Sequence, residues 1–371
     1  MDEALSTIPM PFAAALDEVA IVIADEPSDD QRRENELGPD DTLYGLYEGV
    51  PRTEWAADWA TVPAPDMAIE PEGFVVEVAP GDRIHFLDWG GPVAADGPGI
   101  LLIHGLGQTA WIWTPVARRL RGARSVVAMD LRGHGLSDAP TETGAYDLPV
   151  LAEDAIAAAE GAGLVAELAD RVVLVGHGFG AMVAAEAARA LGPRCVGLVL
   201  VDGGWERLEA STGLDVDEFM RGLDEPPEVL RSITAFLADR EAFDPASWDA
   251  DQEHAARATV VETHAGRVVP VTRPHVTAAC VQTMFAYDPL ETLAPVDAPV
   301  VALVAASPSD DQPGARERAM AAVDAARAAT GRSPIRTVPF GHDGHNLMRY
   351  RPDAVSAAIL SVASDTGDRG V

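Results

Sequence analysis

Short, unbroken apolar runs recur along this chain at Gly99–Ile103, Ser125–Met129, Val172–Val175, Val196–Val201 and Val300–Val304. A strand with one wet face alternates polar and apolar residues; these runs do not alternate, so they predict strands buried on both faces. Alanine-rich stretches between them predict helices over 151–167 and 181–191. Ahead of them, Phe74–Ala79 and Arg83–Trp89 flank Pro80-Gly-Asp82, the pattern of an antiparallel hairpin. Strand and helix in alternation predict an α/β fold over residues 73–365, a mostly parallel sheet with helices on both faces. The alternation breaks from about Gly203 to Pro295, where only amphipathic helix candidates occur, at 214–223, 228–239, 248–264 and 277–285. An insertion following a strand is expected to sit over the strand C-termini as a helical lid.

The first 59 residues have a different texture. Val19–Ala24 reads as a strand, the stretch from Asp25 to Asp41 is acidic, and 60–72 holds three prolines without periodicity, the composition of a linker. The words IVIADEPSDD and DTLYGLYEGVPRTEW resemble the opening of the zincin-like metallopeptidases. In that family a helix carrying HExxH follows, its two histidines sharing one helix face to hold zinc. This chain has no HExxH, so segment 1–59 is expected to be partial and metal-free, a packing or docking surface. One reading of the whole chain therefore makes it an interaction scaffold acting through this segment.

Composition narrows the functional classes. A formal charge of −32 would repel phosphate backbones and anionic lipid, so neither nucleic acid nor a membrane surface is an expected partner. Cys195 and Cys280 are the only cysteines and lack metal-ligand spacing, which predicts reduced core thiols and no metal site. No cofactor is called for, and the expected compartment is the cytoplasm.

Three of the predicted strand ends carry glycine- and histidine-rich words: His104-Gly-Leu-Gly107, Asp130-Leu-Arg-Gly-His-Gly-Leu-Ser137 and Gly176-His-Gly-Phe-Gly180. A fourth, Gly344-His-Asn-Leu-Met-Arg-Tyr-Arg-Pro352, lies near the C-terminus. Together they resemble the α/β-hydrolase family over roughly 73–365. The word Gly-x-Gly-x-Gly is a sharp strand-to-helix turn whose central residue lifts a nucleophilic side chain into the pocket. That central residue is usually serine; here it is Gly178. The resemblance assigns oxyanion-hole donors to the backbone N–H groups of Leu106 and Phe179, which need no particular side chain, and the general base to His345, with His342 as a local competitor. The supporting acid in the family follows the strand at Val300–Val304. That position falls near Ser307-Pro308, so Asp310 or Asp311, slightly late, and Asp202, at the end of Val196–Val201, are alternatives.

Trp111, Trp113, Trp205, Phe219 and Phe285, with Met220 and Met284, predict an apolar cavity for a small-molecule ligand or substrate. The sequence thus predicts a hydrolase scaffold without its serine, either ligand-binding or acting as a hydrolase or lyase without a covalent intermediate.

Overall fold

The computed structural model describes residues 69–79, 81–92, 97–165, 171–223, 232–305, 314–341 and 344–364. Segment 1–59, most of the linker 60–72, Asp310, Asp311 and His342 lie outside them.

The apolar runs form the strands they predict. An edge hairpin, β1 (Glu72–Ala79) and β2 (Asp82–Asp88), is followed by β3 (Gly99–Ile103), β4 (Val126–Met129), β5 (Val172–His177) and β6 (Cys195–Val201). Later come a short pair, β7 (Val260–Glu262) and β8 (Val268–Pro270), and then β9 (Val300–Ala305) and β10 (Arg336–Phe340). Eight of these make one sheet in the order β1-β2-β4-β3-β5-β6-β9-β10. The hairpin is antiparallel, β2 meets β4 antiparallel, and every other pairing in the sheet is parallel. Nearly every residue of β3 to β6 and β9 is buried, as strands covered on both faces must be.

Helices supply that cover. On one face lie α1 (Thr114–Leu120) and a C-terminal helix, Pro352–Ser364; on the other lie α2 (Leu148–Gly161) and α3 (Phe179–Leu191). The helix predicted over 151–167 is α2, which starts earlier, with Pro149 in its first turn, and stops at Gly161. Gly163 beyond it has a φ of +74°, a left-handed turn that a helix cannot continue through.

The insertion between β6 and β9 holds α4 (Leu208–Thr212), α5 (Val216–Leu223), α6 (Ile233–Phe243), α7 (Ala250–Ala258), α8 (Pro274–Ala286) and α9 (Pro289–Leu293). It is not wholly helical. The helix expected over 248–264 ends at Ala258, and Thr259–Thr263 runs into the β7–β8 hairpin. Four of those five residues are β-branched, which favours a pleated strand, and Gly266 at a φ of +71° turns the chain back. After β9 come α10 (Ala315–Ala329) and a short helix, α11 (Leu347–Tyr350); the C-terminal helix is α12. Among the described residues no helix is long and apolar enough to cross a membrane.

Successive strands turn away in opposite directions at β3, which has β4 on one side and β5 on the other. In open parallel sheets this switch point leaves a crevice beyond the strand C-termini. The loops after β3 and β5 therefore open into the same crevice.

Candidate functional site

The turn from β5 into α3 is built around glycine. A Cβ on Gly176 would stand 2.1 Å from the Gly180 carbonyl oxygen, and one on Gly180 would stand 2.3 Å from the His104 carbonyl oxygen. Neither position admits a side chain. Gly178 differs: a Cβ there would find its nearest backbone atom 4.0 Å away, at Gly105 Cα. What disfavours a side chain at Gly178 is the backbone, φ +52° and ψ −115°, a region that L-residues occupy only under strain. The direction of that missing Cβ is informative. It would come within 3.2 Å of His345 Nε2.

His345 is oriented from its other nitrogen. Its Nδ1–H donates to Asp202 Oδ2 at 2.6 Å, which leaves the Nε2 lone pair facing Gly178. Asp202 immediately follows β6 and is the acid beside this histidine. Asp310 and Asp311, the alternatives after β9, lie outside the described residues. The Asp202 side chain is 6% exposed and the His345 side chain 56%. The second carboxylate oxygen, Oδ1, accepts from Ala305 N–H at 3.0 Å and from Arg316 Nη2 at 2.7 Å. Burial alone would raise the Asp202 carboxyl, but the His345 hydrogen bond and the Arg316 charge outweigh it and hold it below the usual carboxylate range.

Other histidines brace the turns. His104 Nε2 accepts from Leu131 N–H at 3.0 Å, and its Nδ1 lies 2.7 Å from the Gly105 carbonyl. His177 Nε2–H donates to the His345 carbonyl at 3.1 Å, so the β5 end also steadies the loop that carries His345. Gln108 adds a third tie, accepting from Gly105 N–H and donating to Asn346 Oδ1 at 2.8 Å. Burial keeps His177 uncharged, far below its ordinary titration range. Leu106 N–H and Phe179 N–H, the candidate oxyanion donors, are bonded to no described residue. Phe179 opens α3, where a helix leaves its first N–H groups without partners.

A cavity of about 1250 Å³ opens over this cluster, lined by Leu106, Gly178, Phe179, Asp202 and His345 and by residues of the insertion. The aromatic expectations fare unevenly. Phe219 lines the cavity, as do Met220 and Met284, but Phe285 does not; it packs edge-on against Phe219 at 5.7 Å. The three tryptophans are not lining residues. Trp113 and Trp205 are fully buried in the core, and Trp111 stacks on His254 at 4.0 Å. Burying so large an apolar surface in the core outweighs what it would gain at a pocket wall. Arg316, Arg240 and Arg273 also line the cavity, and nothing in their sequence surroundings singled them out. Arg316 reaches Asp202 across 114 positions of sequence. Cys195 and Cys280 are buried and unpaired, and the described residues hold no cluster fit for a metal ion.

Comparison with known proteins places this geometry. RutD of Variovorax paradoxus, whose carbamate hydrolase assignment is provisional, is 33% identical over 174 residues, 46% of this chain and 60% of that protein. The 2-(acetamidomethylene)succinate hydrolase of Mesorhizobium japonicum is 40% identical over 93 residues, 25% of this chain and 31% of its own. This chain thus spans less than two thirds of these curated relatives. Among solved structures, an E-2-(acetamidomethylene)succinate hydrolase superposes with a TM-score of 0.63 at 19% identity, covering 79% of this chain and 98% of that one. A thioesterase domain from the curacin biosynthetic pathway gives 0.57 at 22%, covering 78% and 99%. At such identities the likeness is one of fold. The model of the zincin-like metallopeptidases matches residues 16–69, reaching past the expected boundary at 59 into the linker. The model of the alpha/beta hydrolase family matches residues 100–358, well over half of the sequence and every strand from β3 to β10, and the chain belongs to that family.

Proposed function

We propose that this chain binds an apolar small molecule in the cavity over the sheet, beneath the insertion acting as a lid, and forms no covalent intermediate with it. One observation carries the reading: at the sharp turn after β5, the residue whose Cβ would point at His345 Nε2 is Gly178, which has no nucleophile to offer. The cavity, with Phe219, Met220 and Met284 on its wall, supports the choice of ligand. The protein should release no product from a panel of p-nitrophenyl esters and should not be labelled by a fluorophosphonate probe. Ester turnover through a labelled residue overturns the proposal. The two buried, unpaired thiols suit a reducing compartment, and the cytoplasm is the proposed location.

A second reading rests on a separate observation, the 2.6 Å hydrogen bond between Asp202 and His345. A histidine held in this tautomer can take a proton from a water molecule standing in the space that Gly178 leaves. Beside it, the Leu106 and Phe179 N–H groups can polarise a carbonyl. General-base help supplies about 10²–10⁴-fold and an oxyanion donor about 10²–10³-fold, so an ester- or lactone-like substrate could be hydrolysed without a serine. The hydrolase names of the relatives support a small substrate. Under this reading His345→Ala abolishes turnover of any substrate found, and unchanged turnover removes His345 from the reaction.

A further inference from the structure

Around His345 the floor of the cavity is made largely of backbone. Gly105, Gly178 and Gly203, just beyond the ends of β3, β5 and β6, all line it. A Cβ on Gly203 would stand 2.9 Å from both the Cα and the carbonyl oxygen of Gly178, so two strand ends touch there through bare backbone. On its cavity side Gly178 has room. A Cβ in that direction would find His345 Nε2 at 3.2 Å and Cε1 at 3.5 Å, and then Gly105 Cα at 4.0 Å. The polar groups facing this space form a definite set. The Nδ1 proton of His345 is committed to Asp202, which makes Nε2 an acceptor, and no described residue donates to it. The N–H groups of Leu106 and Phe179 are two donors with no acceptor among the described residues. Gln108, also on the floor, is already engaged with Gly105, His177 and Asn346. One acceptor and two donors are the complement of a hydroxyl, which has one O–H and two lone pairs.

We infer that the ligand of this cavity is an alcohol with an apolar body. Its hydroxyl stands in the space beside Gly178, donates to His345 Nε2 and accepts from the Leu106 and Phe179 N–H groups, while the rest of the molecule lies against Phe219, Met220 and Met284. This rests on the reading that the cavity takes an apolar small molecule, and it narrows that class to compounds carrying a hydroxyl. A serine at this turn would bring its own hydroxyl to the space; with glycine there, the ligand brings it. A ketone or an ether has no proton for Nε2, and a ligand that displaces water from the space without replacing its hydrogen bonds loses affinity.

The test uses the intact chain and two probes of nearly one shape, 4-phenylbutan-2-ol and 4-phenylbutan-2-one, with calorimetry as the readout. The alcohol is expected to bind about tenfold more tightly than the ketone. Gly178→Ala puts a methyl group into the space, and His345→Leu removes the acceptor while keeping an apolar side chain of similar bulk. Each should bring the alcohol down to the level of the ketone. The His345 side chain is 56% exposed, so the leucine variant should fold even if the turn resists alanine, and the comparison of the two probes on the unaltered chain needs no substitution. Equal affinity on the unaltered chain, meaning that water keeps the space, overturns the hydroxyl assignment and leaves the cavity reading in place. A preference that survives either substitution in a folded variant does the same. Binding of neither probe overturns both.

Discussion

Two positions at adjacent strand ends meet at His345 and have gone opposite ways. Gly178, after β5, and Asp202, after β6, both have positive φ, +52° and +48°. Asp202 is the one residue other than glycine with positive φ among the described residues. There the chain keeps a carboxylate despite the backbone, and the carboxylate is used: it holds His345, Arg316 and the Ala305 N–H. At Gly178 there is no side chain and no such strain, although a Cβ would meet no backbone atom closer than 4.0 Å. Aspartate tolerates the left-handed region better than most residues, so the cost at Asp202 is modest, but nothing in the turn itself requires it. Asp202 orients the histidine; on the proposed reading, Gly178 offers it no side-chain atom for covalent chemistry.

The contrast can be broken or sharpened by substitution. The largest effect should come from Gly176→Ala, which drives a Cβ into the Gly180 carbonyl at 2.1 Å. A loss of about 4 kcal/mol or more, or failure to fold, is expected in urea denaturation, because two backbones must part. Asp202→Ala comes next, at about 3 kcal/mol, since it removes the buried carboxylate that accepts from Arg316, the Ala305 N–H and His345 together. Asp202→Gly should recover about 1 kcal/mol of that by relieving the positive φ. If the glycine variant is no more stable than the alanine variant, the backbone at Asp202 carries no strain and the comparison fails.

Gly178→Ala should cost about 2 kcal/mol through its backbone angles alone. His345, being more than half exposed, can give way by the few tenths of an ångström that the 3.2 Å approach demands. No measurable loss would mean that glycine was not selected by conformation there.

A separate effect is read against pH. Burial keeps His104 and His177 below their ordinary values, and lowers His134 to about 3. The unfolded chain takes up protons on these groups below pH about 6.5 that the folded chain refuses. Their contribution is complete above that pH and falls as the pH drops, by about 1.4 kcal/mol per unit for each residue. Asp202 works in a lower window. Its folded value is depressed, so its contribution is complete above pH about 3.9 and is lost as the pH falls through that lower value. Denaturation across the acid range should show both limbs, with Asp202→Asn removing only the lower and His177→Gln easing only the upper.

Much of this was legible in the sequence because it depends on local pattern. Buried strands announce themselves as unbroken apolar runs, and the turn at Gly176–Gly180 is a local steric requirement. The β7–β8 hairpin was missed because Thr259–Thr263 continues an amphipathic helix without a glycine or proline to mark the change. Arg316 left no signal, since its partner is 114 positions away. The tryptophans misled for a different reason: an aromatic near a motif reads the same whether it faces a cavity or the core, and Trp113 and Trp205 face the core.

The most direct measurement compares the unaltered chain with Gly178→Ser, each incubated with a fluorophosphonate probe and examined by intact-protein mass spectrometry. The account predicts no adduct on the unaltered chain and one adduct on the variant, at the introduced serine, because Asp202 and His345 are already in place to activate it. An adduct on the unaltered chain, or none on a folded variant, would contradict it.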